Sequence, residues 1–317
     1  MTAILRLNMT LPGLDPTAMS DRYQAALDMA TAVDDAGFLA VTLDEHHGAP
    51  DGWLPAPMML AGMIAARTSR VLIDLRALLL PLHDPIRVAE DLIVVDLVSG
   101  GRLMVTVGLG YRPEEYAAHR KSWSDRGALM DETLSELATA WRGGTLNRDG
   151  TSVAVTPHPL TVRPPLMVGG SGKPAARRAA RFDLPFAPPA KLPELEAYYR
   201  EQCAERGVTP VVVSPPSDVS LVFVATDPDR AWAELGKHFL HEATTYAGWQ
   251  SPAQHSAVHS TATSVDELRA EGIYQILTPA DARARDGDRH HAVVLHPLCG
   301  GMPLDAAWEC VRLFLED

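Results

Sequence analysis

Apolar residues follow two alternating rhythms along this chain: short, nearly continuous apolar runs, and longer stretches in which they return every third or fourth position. The first run, Ala3 to Met9, reads as a strand; after a Pro/Gly/Asp turn, Tyr23, Ala26, Leu27, Ala30 and Val33 fall at helical spacing and the pattern closes at Gly37. Leu39 to Leu43 and the Met- and Ala-rich Ala56 to Thr68 repeat the pair. Val71 to Leu80 is too uniformly apolar for a half-exposed strand and fits a parallel strand covered on both faces. Asp84-Pro85 then offers an N-cap and a first-turn proline to a helix that runs to Ser99 and stops at Gly100-Gly101. Arg102 to Val107, followed by a helix from Asp125 to Trp141 that ends at Gly143-Gly144, makes a fourth strand-helix unit.

Thr145 to Val162 breaks the rhythm, because Asn147-Arg148-Asp149-Gly150 is a turn between two short β-prone runs, the signature of an inserted hairpin. Four more strands follow at Leu166 to Val168, Leu184 to Ala187, Val219 to Ala225 and Ala292 to His296, with helices expected near 174–182, 193–206, 228–246 and 303–315. Thr244 to Ala270 and the charged Ala282 to His291 have weak periodicity and read as loops or short helices. Eight strand-helix units without an antiparallel meander predict an α/β protein, a (β/α)8 TIM barrel with a small hairpin insertion and extra loops at the C-terminal face. An open doubly wound sheet would show fewer units and a glycine-rich turn after its first strand. The 317 residues are expected to form a single domain, since such barrels use this length as one unit.

Composition narrows the function classes. A net charge of −12 with no Lys/Arg cluster disfavours nucleic acid. Cys203, Cys299 and Cys310 have no Cys-x-x-Cys spacing and leave an odd thiol, so a reducing cytoplasm is expected rather than a disulfide framework or a zinc knuckle. Met1 to Leu11 lacks a basic leader and a cleavage site, and no apolar run approaches membrane-spanning length, so neither targeting nor a membrane association is expected.

In a barrel the reacting groups stand at the C-terminal ends of the strands. Asp44-Glu45-His46-His47 follows the second strand, where an imidazole can shuttle a proton near neutral pH and a carboxylate can orient it; the same groups could equally hydrogen-bond the loop that follows. Val168-Gly169-Gly170-Ser171-Gly172 leads into a helix at Pro174 and exposes backbone N–H groups and a hydroxyl at a positive helix end, a setting for a phosphate or simply a tight turn. Arg126, just before a helix, can grip a phosphate bidentately or pair with Asp125 or Asp131. His83, His296 and the turn Gly108-Leu109-Gly110-Tyr111 complete the strand-end set. His46, His47, His83, His296 and Glu45 could in principle ligate a metal, but no His-x-His pair follows the first strand and no metal site is assigned.

Three blocks, in this order and spacing, carry a resemblance: Glu45-His46-His47; Leu80-Pro81-Leu82-His83-Asp84-Pro85-Ile86-Arg87-Val88-Ala89-Glu90-Asp91; and Leu97-Val98-Ser99-Gly100-Gly101-Arg102-Leu103. With Val107 to Tyr111, Arg126, Met167 to Ser171 and His296-Pro297-Leu298-Cys299-Gly300-Gly301, the chain resembles the luciferase-like monooxygenase family over most of its length, least from Val208 to His291. The resemblance implies a barrel that binds FMN, or in some branches an 8-hydroxy-5-deazaflavin coenzyme, with the ring over the strand C-termini. His46 matches the family's active-site histidine, with Glu45 and His47 beside it as catalytic candidates. Ser171, the amides of Gly169 and Gly170, and Arg126 match positions that hold the flavin phosphate. Arg76-Ala77 falls where relatives carry a cis peptide beneath the ring, and Leu109 and Gly110 join the cofactor-binding candidates. Two positions depart from luciferase itself, which has an arginine in place of Leu109 and an acidic residue in place of Gly170; Arg112 is the alternative phosphate ligand.

The resemblance further implies a two-component monooxygenase that receives reduced FMN from a separate flavin reductase and oxidises a small organic substrate. Rival readings are a deazaflavin-dependent dehydrogenase or reductase, with His46 as the base, and a flavin-binding protein without turnover. The helix carrying Ile86, Val88, Leu92, Ile93, Val94, Val95 and Val98 is apolar on more than one stripe, and relatives dimerise through helices two and three, so a homodimer is expected.

Overall fold

The structure, a computed structural model, describes residues 1–215, 218–250, 258–286 and 291–316. In chain order the first elements are β1 (Ile4–Leu7), α1 (Pro16–Ala36), β2 (Ala40–Leu43), α2 (Pro57–Arg67), β3 (Leu72–Leu78), α3 (Pro85–Ser99), β4 (Leu103–Val107), α4 (Pro113–Ala118) and α5 (Arg126–Trp141). There follow β5 (Thr145–Arg148), β6 (Thr151–Ala154), β7 (Leu166–Gly169), α6 (Lys173–Arg181), β8 (Phe186–Ala187) and α7 (Pro193–Ala204). The chain continues with β9 (Asp218–Val224), α8 (Pro228–Trp249), α9 (Val265–Glu271), β10 (Tyr274–Leu277), α10 (Pro279–Asp286), β11 (His291–Leu295) and α11 (Leu304–Leu315). They divide into two compact units, one of Met1–Pro55, Pro189–Lys191 and Pro215–Asp317, the other of Ala56–Pro188 and Leu192–Ser214.

In the first unit five parallel strands run in the order β10-β9-β11-β1-β2. Alternation gives their sheet two unlike faces. Leu5, Leu7, Val41, Leu43, Val293 and Leu295 lie on one face and are wholly buried. Arg6, registered with Thr42, lies on the other, and Asn8, Asp44 and His296 continue that face past the strand ends. Helix α1 starts where Asp15 accepts the Ala18 N–H at 2.8 Å, and stops at Gly37 in the left-handed conformation, φ 80°.

In the second unit the parallel order is β3-β4-β7-β8. Ile73, Leu75, Leu103, Val105, Leu166 and Val168 make its buried apolar face, and Asp74, Arg76, Met104, Thr106 and Met167 share the opposite one. The Ser99-Gly100-Gly101-Arg102 block gains a physical role here: the Arg102 guanidinium donates to the carbonyls of Ser99, Val71, Thr68 and Ala65, tying the ends of α2 and α3 to the start of β3. The hairpin expected around residue 148 is present as β5 and β6, antiparallel, with Asn147 Oδ1 accepting from Gly150 N across the turn.

The apolar runs predict eight parallel strands, whereas nine are present among the described residues. The extra one is β10, which pairs with β9 and not with β11, its successor in the chain. It is four residues long with only alternate positions buried, too short and too polar to register as a buried strand. The region 244–270, expected as loop or short helix, contains the short helix α9 as expected, but α8 runs on into it as far as Trp249, past the predicted end near 246. In the same way α10 covers the start of 282–291. Residues 258–264 carry neither helix nor strand, as expected of a loop, and residues 251–257 and 287–290 lie outside the described residues. Helix α4, inside the fourth strand-helix unit, is six residues long and is not predicted by the apolar spacing.

Candidate functional site

Two groups of strand-end residues emerge, one in each unit. In the first unit Arg6 and Asn8 leave the end of β1 on one face, Asp44 leaves β2 and His296 leaves β11, while α8 supplies Glu242 and Tyr246. Arg6 donates to Asp44 Oδ2 at 2.6 Å and to the Tyr246 hydroxyl at 2.7 Å, and that hydroxyl donates to the same carboxylate oxygen at 3.1 Å. Burial works against the Arg6 charge, but Asp44, Tyr246 and Glu242 raise its pKa well above the ordinary value.

Glu242, wholly buried, is the hub of a second network. Asn8 Nδ2 donates to it at 2.6 Å, Tyr274 Oη at 3.2 Å, Cys299 Sγ at 3.1 Å and Gly300 N at 3.3 Å, and His296 Nε2 lies 2.9 Å away. Burial pushes the Glu242 carboxyl up, but His296, then Arg6, outweigh it and hold the group well below the usual carboxylate range. Glu242, His296 and Cys299 bring three ligand-type atoms within 4.8 Å of one another. Their geometry is that of a hydrogen-bond hub: four other donors fill the carboxylate, His296 Nδ1 faces the Arg6 carbonyl at 3.2 Å, and the Arg6 guanidinium stands 4.0 Å from Glu242, where it opposes a cation. Burial and the Glu242 charge push the Cys299 thiol well above its normal range, which keeps it protonated as a donor.

His46, also buried, stands in a box of aromatic rings, with centroids 5.2 Å from Trp53, 5.7 Å from Tyr246 and 5.1 Å from Trp249. Trp249, from the last turn of α8, is half-buried, and the buried Trp53 indole N–H has no hydrogen-bond partner among the described residues. The carboxylates flanking His46 in sequence are engaged with other groups. Glu45 Oε1 lies 2.9 Å from His47 Nε2, and Asp44 is held by Arg6. Within the predicted trio, Glu45 and His47 form a carboxylate–imidazole pair, and the His46 ring is lined by aromatic rings.

In the second unit the peptide bond between Arg76 and Ala77 is cis, at the position where the resemblance placed one. Ala77 is the bulged residue of β3, between Arg76, registered with Thr106, and Leu78, registered with Val107. Arg76 donates to Asp74 at 2.8 Å. The neighbouring glycines make room that a side chain would fill: a Cβ on Gly108 would lie 3.2 Å from the Ala77 Cβ, and one on Gly169 2.8 Å from the Thr106 methyl. Thr106 Oγ1 is buried without a hydrogen-bond partner among the described residues. Gly170, at φ 144°, would place a Cβ 2.7 Å from Ala175, so the turn into α6 admits only glycine there, with Ser171 and Gly172 following at the helix start.

Arg126 is the first residue of α5; its Nη1 donates to the Trp123 carbonyl at 2.7 Å and its guanidinium lies over the Trp123 ring at 4.0 Å. Its Nε and Nη2 have no partner among the described residues. Arg178 links α6 to the first turn of α5 through Gly127 O at 3.2 Å and Asp131 at 2.6 Å, so Asp131 is engaged by Arg178 rather than by Arg126. Arg112, the alternative phosphate ligand, is buried and donates to Glu115 at 3.3 Å. Leu109 and Gly110 form the turn after β4, where Gly110 takes φ 71° and the Leu109 carbonyl accepts from the Tyr116 hydroxyl at 2.5 Å. His83 belongs to this unit and His296 to the other.

Sequence reasoning missed Arg6, Glu242, Tyr246, Trp249 and Trp123. For Arg6 a signal existed, a charge at an alternate position of an apolar strand; for Glu242 it was a carboxylate on the buried stripe of Phe239, Ala243 and Tyr246 in α8.

The phosphate-type residues of the second unit thus fit an anion, and the glycine-lined strand ends beside the cis peptide fit a flat group. The profile of the luciferase-like monooxygenase family matches residues 7–294. Among curated relatives, the chain is 33% identical over 150 residues to the uncharacterized protein y4wF of Sinorhizobium fredii, covering 47% of this chain and 44% of that one. It is 33% identical over 122 residues to limonene 1,2-monooxygenase of Rhodococcus erythropolis, covering 38% and 32%. These matches span less than half of either relative. Among solved structures, monooxygenase RslO1 of Streptomyces bottropensis has a TM-score of 0.75 at 23% identity, covering 100% and 98% of the two chains. The oxygenating constituent of 3,6-diketocamphane monooxygenase of Pseudomonas putida, in complex with FMN, scores 0.70 at 17%, covering 100% and 97%. An F420-dependent secondary alcohol dehydrogenase with an F420-acetone adduct scores 0.60 at 17%, covering 99% of each. The α/β TIM-barrel class read from the sequence is that of these neighbours, and this chain belongs to the luciferase-like monooxygenase family.

Proposed function

We propose that the chain is a flavin-dependent monooxygenase that uses reduced FMN and oxygen on a small organic substrate. The observation that carries this reading is Arg126, a guanidinium held by a ring and a carbonyl with two of its nitrogens unclaimed, on the helix that Arg178 ties to the one following Gly169-Gly170-Ser171. Arg126 and the Ser171 hydroxyl with the adjoining amides bind the phosphate, since a guanidinium and helix-start N–H groups both favour an anion. Gly108, Gly169 and the Arg76-Ala77 segment leave space for the ring. Leu109 and Gly110, in the turn after β4, would join the residues that hold the cofactor. When bound, reduced flavin supplies the electrons and the centre at which oxygen is activated.

His46 holds and returns a proton at an imidazole nitrogen, in surroundings of Trp53, Tyr246 and Trp249 that exclude water. The Trp53 N–H is placed to donate to an oxygen atom of a substrate. Glu45 and His47 act as a pair behind it. The likeness to an F420-dependent alcohol dehydrogenase supports a second reading, in which a deazaflavin is the cofactor and His46 accepts a substrate hydroxyl proton. Two titrations separate them. Tight binding of reduced FMN with an oxygen-dependent spectral transient supports the monooxygenase; preference for the reduced deazaflavin and indifference to oxygen overturns it in favour of hydride transfer.

His46→Ala should lower turnover by about 10²–10⁴-fold while FMN affinity changes less than about twofold. Equal loss of both would remove the proton role. Reduced FMN made chemically should support turnover without a reductase; failure would mean that the partner does more than deliver flavin.

Helices α2 and α3 leave Met59, Met63, Val94, Leu97 and Val98 exposed on the second unit, and this face is proposed to bind a second copy of the chain. Val98→Asp should convert a dimer to a monomer in sedimentation; a wild-type monomer would overturn the assignment. No helix among the described residues is long and apolar enough to cross a membrane, and the three buried thiols suit a reducing cytoplasm.

A further inference from the structure

The geometry points to Trp123 as the positioning residue that sets Arg126 for the phosphate, through a brace that also carries the Leu109 turn; this rests on the phosphate-binding reading above. Four links in the second unit make the brace. The Tyr116 hydroxyl holds the Leu109 carbonyl at 2.5 Å. The Tyr116 and Trp123 rings meet edge to face, 5.2 Å between centroids and 83° between planes. The Arg126 guanidinium lies 4.0 Å from the centre of the Trp123 ring, and Arg126 Nη1 donates to the Trp123 carbonyl at 2.7 Å. Tyr116 is wholly buried and packs with Leu79 and Leu82, so the far end of the brace is anchored in apolar core. Burial also raises its hydroxyl to about 12, which keeps it a hydrogen-bond donor to Leu109 across the working pH range.

What the brace does follows from the chemistry of its last link. A carboxylate would hold the guanidinium equally well but would neutralise it and occupy the donors that a phosphate needs. An aromatic face holds it through the ring quadrupole and leaves the charge and the in-plane N–H groups available. Arg126 is therefore fixed in direction while Nε and Nη2 have no partner among the described residues. Trp123 touches Arg126, and an effect that passes through Arg126 acts on ligands that carry a phosphate and not on those that lack one.

FMN and riboflavin differ by that phosphate alone, so the ratio of their dissociation constants reads the brace directly. In Trp123→Leu, which keeps an apolar side chain against Leu79, Leu82 and Tyr116, the preference for FMN should fall about fivefold to tenfold while riboflavin affinity changes less than about twofold. Trp123→Phe, retaining an aromatic face, should recover most of the preference, and Trp123→Leu added to Arg126→Ala should lower it no further. Loss of FMN and riboflavin affinity in equal proportion would make Trp123 a packing residue and overturn the inference, as would an unchanged preference or a Trp123→Phe no better than Trp123→Leu. A wild-type chain that binds both flavins alike would overturn the phosphate reading itself, and the brace with it.

Discussion

Arg6 and Arg126 are the same side chain put to opposite uses. Arg6, in the first unit, meets a carboxylate and a phenol and is buried; its charge is consumed in holding β1, β2 and α8 together. Arg126, in the second unit, meets a ring and a carbonyl and keeps its charge for something else. The difference extends to their surroundings. The strand-end charges of the first unit close upon one another around Asp44 and Glu242, whereas the second unit offers a cation, a buried hydroxyl at Thr106 and three glycines whose missing Cβ atoms leave room. What a buried polar group touches tells a structural role from a binding role better than its identity does.

The comparison can be broken in three places. Glu242→Ala should have the largest effect on stability, about 3–5 kcal/mol in chemical denaturation, because it strips Asn8, Tyr274, Cys299 and Gly300 of their shared buried acceptor and His296 of its carboxylate partner. Arg126→Ala should leave stability within about 0.5 kcal/mol. If the two variants are equally destabilised, the contrast between the arginines fails. In binding the order reverses: Arg126→Ala should raise the FMN dissociation constant about 10–100-fold, the loss of charge-assisted hydrogen bonds, and leave riboflavin nearly unchanged. The smallest effect is one of pH. A carboxyl held below its unfolded value contributes stability that is complete above about pH 4.3 and is lost as pH falls toward the folded value. The advantage of the wild type over Glu242→Ala should therefore narrow on acidification below that point; an advantage that stays constant would mean that Glu242 acts by packing and not by charge.

Much of this was legible in the sequence, and unevenly. The strand-helix rhythm, the caps at Asp84 and Gly100, the hairpin turn and the cis bond at Arg76-Ala77 depend on local pattern or on motif blocks, and the structure contains all of them. What escaped depends on residues far apart in the chain. Asn8, Glu242 and His296 are brought together from β1, α8 and β11, and no local window contains two of them. Strand β10 escaped because four residues with alternate burial follow a helix directly. His46 was read from its motif, but its neighbours were not: its ring faces come from Trp53 in the following loop and from Tyr246 and Trp249 about two hundred residues away on α8.

The β5–β6 hairpin has a practical use. Among the described residues it pairs only with itself, Arg148 of its first strand reaches Glu136 on α5, and the chain leaving it is fastened by Asp96, which accepts from the Leu160 and Thr161 backbone. Its turn, with Asp149 and Gly150 both at positive φ, is thus moored at both ends and outside the parallel strands. An epitope or fluorophore-accepting peptide grafted between Asp149 and Gly150 would give a handle for immobilising or tracking the molecule while the strand ends that carry its chemistry keep their native connections.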